Sequence, residues 1–147
     1  MVATAPGGSY QWFSNPVGGS SLFNGATFNT PLLTTTTTYY VQTTVIGCNS
    51  DTRTPVTVTV IPTDDPSFNY SPSTYCVSGG NATPTITGGS TGTFTATPSG
   101  LVFANSLTGE IDVAATTLGT YTITFITDGA CPDSATFDVT ITNAPDA

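Results

Sequence analysis

The sequence predicts an all-β chain arranged as two tandem β-sandwich units, and three observations carry that prediction. The first is composition. Of 147 residues only ten are charged, Gly and Pro contribute 15 and 11, and Thr is heavily over-used. Helices prefer Ala, Leu, Glu, Lys and Arg, whereas β-branched Thr fits a pleated, half-wet surface. The second is strict alternation of apolar and polar residues in "PVTVTVI" (55–61), "TYTITFIT" (120–127) and "TFDVTIT" (136–142). Successive side chains of a strand point to opposite faces, so each segment reads as a strand with one wet and one buried face. No segment shows a 3.6-residue apolar period. The third is an internal repeat: "TTTTTYYVQTTVIGCNSDTRTPVTVTV" and "ATTLGTYTITFITDGACPDSATFDVTI" share a Thr-rich lead, a Tyr, an alternating strand, a Cys in a polar turn and a second alternating strand. The chain length accommodates two small domains as readily as one large one.

Taken in order, "YQWF" (10–13) reads as a strand whose Trp12 belongs to the core, with Tyr10 and Phe13 beside it. The five threonines 34–38 read as the crossing between sheets and the start of the next strand, and Tyr39 or Tyr40 as a tyrosine corner that ties the crossing down. Strands are expected on both sides of Cys48. "IPTDDPS" (61–67), with two prolines and paired acids, reads as a short, stiff connector. The predicted domains are therefore 1–62 and 66–147. In the second, "TITGGSTGTFTA" repeats "VATAPGGSYQWF" as strand, Gly-rich turn and aromatic strand. The repeat matches Trp12 with Phe94, Tyr39 with Tyr121, Cys48 with Cys131, and Val56, Val58 and Val60 with Phe137, Val139 and Ile141.

The cysteines are unequal between the copies. In the second unit Cys76 stands upstream of "TITGG", where it is expected to pair with Cys131 across the two sheets. The equivalent position in the first unit would fall before Met1, so Cys48 is read as unpaired and the first sandwich as lacking its N-terminal strand. A bridge closing a loop of about 55 residues would contribute about 4 kcal/mol, and it would imply an oxidising, exported setting.

Charge excludes whole classes of function. The net charge is −8 and Arg53 is the sole cation, which leaves no electrostatic footprint for nucleic acid or an anionic membrane surface. Without His or Lys there is no Ser-His-Asp triad, no Schiff base and no imidazole metal ligand. No run of 18 apolar residues exists, so no membrane insertion is expected. "MVATAPGG" lacks the basic and apolar regions of a signal peptide.

The segments "ATAPGGSYQWFSNPVGGSSLF", "TTYYVQTTVIGC" and "TRTPVTVTV" resemble the immunoglobulin-like repeats that occur in tandem in very large surface proteins of Bacteroidetes. "TPSGLVFANSLTGEIDVAATTLGTYTITF" is similar to the cadherin-like and Ig repeats of the same adhesins, the gliding-motility adhesin SprB included. The resemblance implies Ig-like β-sandwiches in an extracellular, outer-membrane-associated adhesin or stalk. Its expected partners are neighbouring repeats of the same chain and a surface polysaccharide or other extracellular ligand. The alternative is a carbohydrate-binding accessory module of a secreted polysaccharide-degrading enzyme.

No cofactor is expected, calcium being the one ion the acids of such a repeat suggest against the reading of solvated carboxylates at loop tips. If "GGSTG", "NSLTGE" and "DGACPD" share the pole next to the connector, Asp64, Asp65, Glu110, Asp128 and Asp133 could supply its oxygen ligands; no DxDxDG loop supports it. Glu110 and Asp112, two apart on a strand, have the spacing of a glycosidase pair, but no long loop builds a cleft, and an enzyme is not expected. Tyr10, Trp12 and Phe13 could stack on a sugar only if they faced water. Asn69, Asn81 and the "DSA" at 133–135 fit short glycosylation patterns. The outward threonines suggest lattice binding, but sheet twist of about 20° per strand works against it.

Overall fold

A computed structural model describes residues 8–144. Every regular element in it is a β-strand. The chain divides into two compact units, residues 1–61 and 62–147. The strand expected at the start of "VATAPGG" lies outside the described residues.

Unit 1 is one antiparallel sheet. β1 (Ser9–Phe13) pairs with β2 (Phe23–Asn24) on one side and β3 (Thr37–Val45) on the other, and β3 also pairs with β4 (Cys48–Asn49) and β5 (Thr54–Val58). Alternation does what it predicts: Tyr10 and Trp12 from β1 and Tyr39 and Val41 from β3 are buried, with Val56 and Val58 of β5 packed beside them. The covering layer comes from the segment after β2. Its Phe28 sits 5.5 Å from the Trp12 ring and edge-on to Tyr39 at 5.1 Å. The indole N–H of Trp12 donates to the Gly25 carbonyl at 3.0 Å, so the most apolar ring still satisfies its one polar atom. Gly25 has φ +144, and a Cβ there would meet the Phe23 ring at 2.9 Å, so glycine is required at this bend.

Unit 2 is a sandwich. Its main sheet has the order β7-β13-β12-β9, from β7 (Thr74–Cys76), β9 (Gly92–Thr97), β12 (Gly119–Thr127) and β13 (Ser134–Thr142). Opposite lie two short ladders, β6 (Phe68–Asn69) with β8 (Thr85–Ile86) and β10 (Phe103–Asn105) with β11 (Glu110–Ile111), linked by a bridge between Ala82 and Ile111. The core is well filled: Phe94, Ile111, Val113, Tyr121, Ile123, Phe125, Val139 and Ile141 are all at most 2 % exposed. Phe94 stacks on Phe125 at 4.4 Å, and Phe68 meets both edge-on. Tyr70 is buried and its hydroxyl donates to the Gly109 carbonyl, fastening the β6 segment to the turn before β11.

Both units share a three-strand plan: β1-β3-β5 in one and β9-β12-β13 in the other, all antiparallel. The match extends to single atoms. Thr38 of β3 and Thr57 of β5 share a hydroxyl–hydroxyl bond of 2.9 Å, and Thr120 of β12 and Thr140 of β13 share one of 3.0 Å. Tyr39 stands opposite Val56, as Tyr121 stands opposite Val139. This register corrects the sequence alignment by two residues. Val56 and Val58 correspond to Val139 and Ile141, not to Phe137 and Val139. Likewise Phe94, opposite Phe125, corresponds to Tyr10, opposite Thr43, and not to Trp12. A two-residue slip leaves every side chain on its own face, so alternation alone is blind to it.

The tyrosine corner expected at Tyr39 or Tyr40 is found instead at Tyr121, the counterpart of Tyr39 in unit 2. Tyr121 donates to the Thr117 carbonyl at 2.8 Å and shares a second bond with the Thr117 hydroxyl at 2.6 Å. Tyr39 packs against Phe28 instead, and its hydroxyl has no protein partner among the described residues.

The pairing of Cys76 with Cys131 is corrected. Cys76 lies beside Thr142, the last residue of β13, whereas Cys131 stands in the turn before Ser134, the first. At about 3.3 Å per residue the strand alone separates the two by about 26 Å, while a disulfide needs Cα atoms within about 7 Å. No bond joins them. The parallel docking of β7 onto β13 is the reason, because it carries Cys76 to the far end of the sheet. Cys48 is exposed in β4, across from Val45. The argument for an oxidising setting that leaned on the bridge falls with it.

Candidate functional site at one pole of unit 2

Three turns expected to share a pole of unit 2 do meet there. Ser90 and Thr91 precede β9, Leu107 belongs to the β10–β11 turn and Asp128 follows β12; all four line one cleft of about 290 Å³. Its floor is apolar, formed by Phe125, Ile86 and Gly92. Gly92 has a specific reason to be glycine: a Cβ would run into the carbonyl of Ile126 and lie 2.8 Å from the Phe125 ring. Leu107 is 67 % exposed, an apolar side chain left at the rim.

The rim carboxylate is held firmly. The Thr91 hydroxyl donates to Asp128 Oδ1 at 2.6 Å, and the Asp128 amide donates to the Thr91 carbonyl at 3.1 Å. Such a reciprocal pair fixes the two turns against each other. The connector joins the same pole: the Asp64 amide donates to the Cys131 carbonyl at 2.9 Å, and Asp64 Oδ2 accepts from the Gly129 amide at 3.0 Å. Asp65 accepts from both the amide and the hydroxyl of Ser67. Those bonds favour the ionised form and hold the Asp65 carboxyl below its ordinary value. The connector residues 62–66 are thus part of unit 2.

The acids named for calcium are not assembled into a cage. Glu110 turns away to accept from the Asn81 side-chain amide at 2.8 Å. Asp133 closes the base of the β12–β13 turn: its amide donates to the Thr127 hydroxyl at 2.8 Å, and its Oδ1 accepts from the Ser134 amide at 2.8 Å. Among the described residues, no three His, Cys, Asp or Glu side chains form a group able to hold a metal ion. The turns converge as the sequence led one to expect, but their carboxylates are engaged one by one with nearby amides and hydroxyls.

The other candidates are placed as follows. Of the pair Glu110 and Asp112, Glu110 is bonded to Asn81 and Asp112 Oδ1 accepts from the Ala115 amide at 3.0 Å. Trp12 is fully buried, Tyr10 is buried beside it and Phe13 is buried on the opposite face of β1, so none offers a stacking platform. The face of Phe13 is covered by Arg53, whose guanidinium carbon lies 3.3 Å from the ring centroid. The same guanidinium donates to the carbonyls of Asn15 and Gly18 at 2.8 and 2.6 Å. The lone cation therefore braces the loop after β1. Sequence reasoning had no role for it, because its partners are backbone carbonyls and carry no residue signature. Asn69 and Asn81 are exposed. No helix is long and apolar enough to cross a membrane among the described residues.

No curated protein sequence matches the chain. Residues 1–62 match the family described as "Ig-like domain CHU_C associated". That stretch covers unit 1 with its aromatic core and β1-β3-β5 plan, and it is the plan repeated by β9-β12-β13 in unit 2. The protein is an all-β chain with an Ig-like fold, and its first 62 residues are similar to the CHU_C-associated Ig-like repeats.

Proposed function

We propose that the chain is an extracellular repeat segment of a large cell-surface adhesin of the gliding-motility type, in which it works as a stalk that carries a binding tip away from the cell. The observation that carries this reading is the repetition of one three-strand plan, hydroxyl pair included, within a single short chain. The match to an Ig-like repeat family supports an extracellular repeat domain, and outer-membrane association belongs to this proposal. The sequence repeat suggests domain limits of 1–62 and 66–147, and the connector between them is fastened to the second through Asp64.

A stalk needs resistance to local opening more than it needs a site. Unit 2 supplies it through a continuous ladder from β9 to β13 and a pole cross-tied by Asp64, Thr91 and Asp128. The reading is non-catalytic and needs no cofactor. Its experiment is retention of the purified chain on glycan arrays and on cell-surface polysaccharide. A stalk segment is not retained; saturable binding overturns the proposal.

The pole cleft favours a second reading, carbohydrate binding in a secreted polysaccharide-degrading protein. It rests on Leu107 as an exposed apolar contact and on Asp128 as an acceptor for sugar hydroxyls. Binding abolished by Leu107→Ala together with Asp128→Asn would establish it in place of the first.

A further inference from the structure

An early strand of unit 2 and its last strand lie side by side and run the same way. Thr74, Tyr75 and Cys76 of β7 stand opposite Thr140, Ile141 and Thr142 of β13 in a parallel ladder. Bonds beyond the paired residues extend it: the Thr140 amide donates to the Ser73 carbonyl at 2.9 Å, and the Val77 amide donates to the Thr142 carbonyl at 3.0 Å. On its other side β13 is paired along its length with β12, which is paired in turn with β9. β13 is therefore held by the whole sheet, whereas β7 is held to the sheet through β13 alone.

The chain enters and leaves this unit at opposite poles. On entry, Asp64 is bonded to the Cys131 carbonyl at 2.9 Å and to the Gly129 amide at 3.0 Å, in the turn that precedes β13. The chain leaves β13 at Thr142, about 26 Å away at 3.3 Å per residue. A pull on the two ends of the unit therefore acts along β13, drawing β7 toward the entry pole and β13 toward the exit pole. The bonds of a parallel pair are evenly spaced across the gap between strands, so such a pull loads them together, in shear. Side chains oppose the same slide. Tyr75 and Val77 pack against the core, and Tyr70, just upstream, donates its hydroxyl to the Gly109 carbonyl.

We propose that the β7–β13 ladder is a load-bearing clamp, the element that sets how much tension unit 2 withstands before it unfolds. The two Asp64 bonds stand ahead of it on the load path. Pulled apart from one end, the same ladder would open bond by bond and resist far less. The use of the clamp to the organism rests on the stalk reading, which is tested by retention on glycans; the force the ladder bears is measured without reference to any glycan.

The test is single-molecule pulling on the full chain, with both attachment points in unit 2 so that unit 1 carries no load. Handles at Thr63 and Asn143, both exposed, pull along the ladder. Handles at Gly80 and Asn143 pull from one end of it, beyond Cys76 and Thr142; a Cβ at Gly80 meets nothing within 4 Å, so the position accepts a side chain. The expected unfolding force is at least about twofold higher along the ladder than from its end. Val77→Pro removes the N–H that bonds the Thr142 carbonyl and should lower the force along the ladder. Tyr121→Phe, in β12 and off the load path, should lower the melting midpoint and leave that force unchanged. Should Val77→Pro fail to fold, the comparison of the two directions, made on the unaltered ladder, decides alone. Equal forces in the two directions overturn the proposal. So does a force along the ladder that merely follows the melting midpoint in Val77→Pro and Tyr121→Phe alike.

Discussion

Tyr121→Phe and Tyr39→Phe make a matched pair, because register makes the two tyrosines equivalent while only one hydroxyl is used. Tyr121 is 2 % exposed and bonded to the Thr117 carbonyl and hydroxyl at 2.8 and 2.6 Å. Removing its oxygen leaves a partly buried carbonyl short of a donor. The Thr117 hydroxyl retains a weaker bond to the Gly100 carbonyl at 3.4 Å. A net hydrogen bond contributes about 1 kcal/mol, and a stranded acceptor adds to the loss, so the substitution should cost about 1.5 kcal/mol. For a domain of this size that lowers the midpoint by about 6–12 °C. Tyr39→Phe removes a hydroxyl without a partner among the described residues and should cost under about 0.5 kcal/mol. Urea unfolding followed by circular dichroism measures both, with the slope as a check that the denatured state is unchanged. Equal losses in the two variants, or none in Tyr121→Phe, would refute the assignment of the corner to unit 2.

Gly92→Ala should destabilise unit 2 by about 2–4 kcal/mol, because the added methyl meets the Ile126 carbonyl and the Phe125 ring; thermal melts check it. Ile46 has φ +50 in the two-residue turn Ile46–Gly47 and is 97 % exposed. Ile46→Asn should therefore stabilise by about 1 kcal/mol, since asparagine tolerates that conformation and the β-branched side chain does not. Burial raises the Tyr70 hydroxyl pKa above its ordinary value of 10.0. A raised folded-state value favours the folded form up to the unfolded pKa and is lost as pH climbs through the folded one. Unit 2 should thus lose stability above about pH 10, and Tyr70→Phe should flatten that loss in alkaline melts. Millimolar calcium or a chelator should leave the midpoint unmoved; a rise with calcium would reveal a site that the separated carboxylates do not suggest.

Much of the fold was legible because its strands alternate cleanly. Tyr121, Ile123, Phe125, Val139 and Ile141 were assigned to inward faces by period alone and are buried. Register was less legible, since a slip of two residues preserves every face, and only the cross-strand hydroxyl pairs fix it. The cysteine pairing failed for a related reason. Spacing along the chain does not show that β7 docks parallel to β13, and that docking decides which end of the sheet Cys76 reaches. At the pole, the turns were placed correctly by topology while their side chains were not. An aspartate in a tight turn has amides within reach, and Asp64, Asp65 and Asp133 each take one. The Arg53 brace was invisible because backbone carbonyls accept it.

The outer face of the main sheet of unit 2 is almost wholly threonine. Thr95, Thr124 and Thr136 stand in one row and Thr120 and Thr140 in another, with Thr122 donating to Asp138 at 2.7 Å beside them. Hydroxyls do not titrate between acid and alkali, and a bond between two of them is not weakened by dissolved ions as an exposed charge pair is. A surface knitted mostly in this way should unfold at the same midpoint in low salt and in high, where a surface held by exposed ion pairs would not.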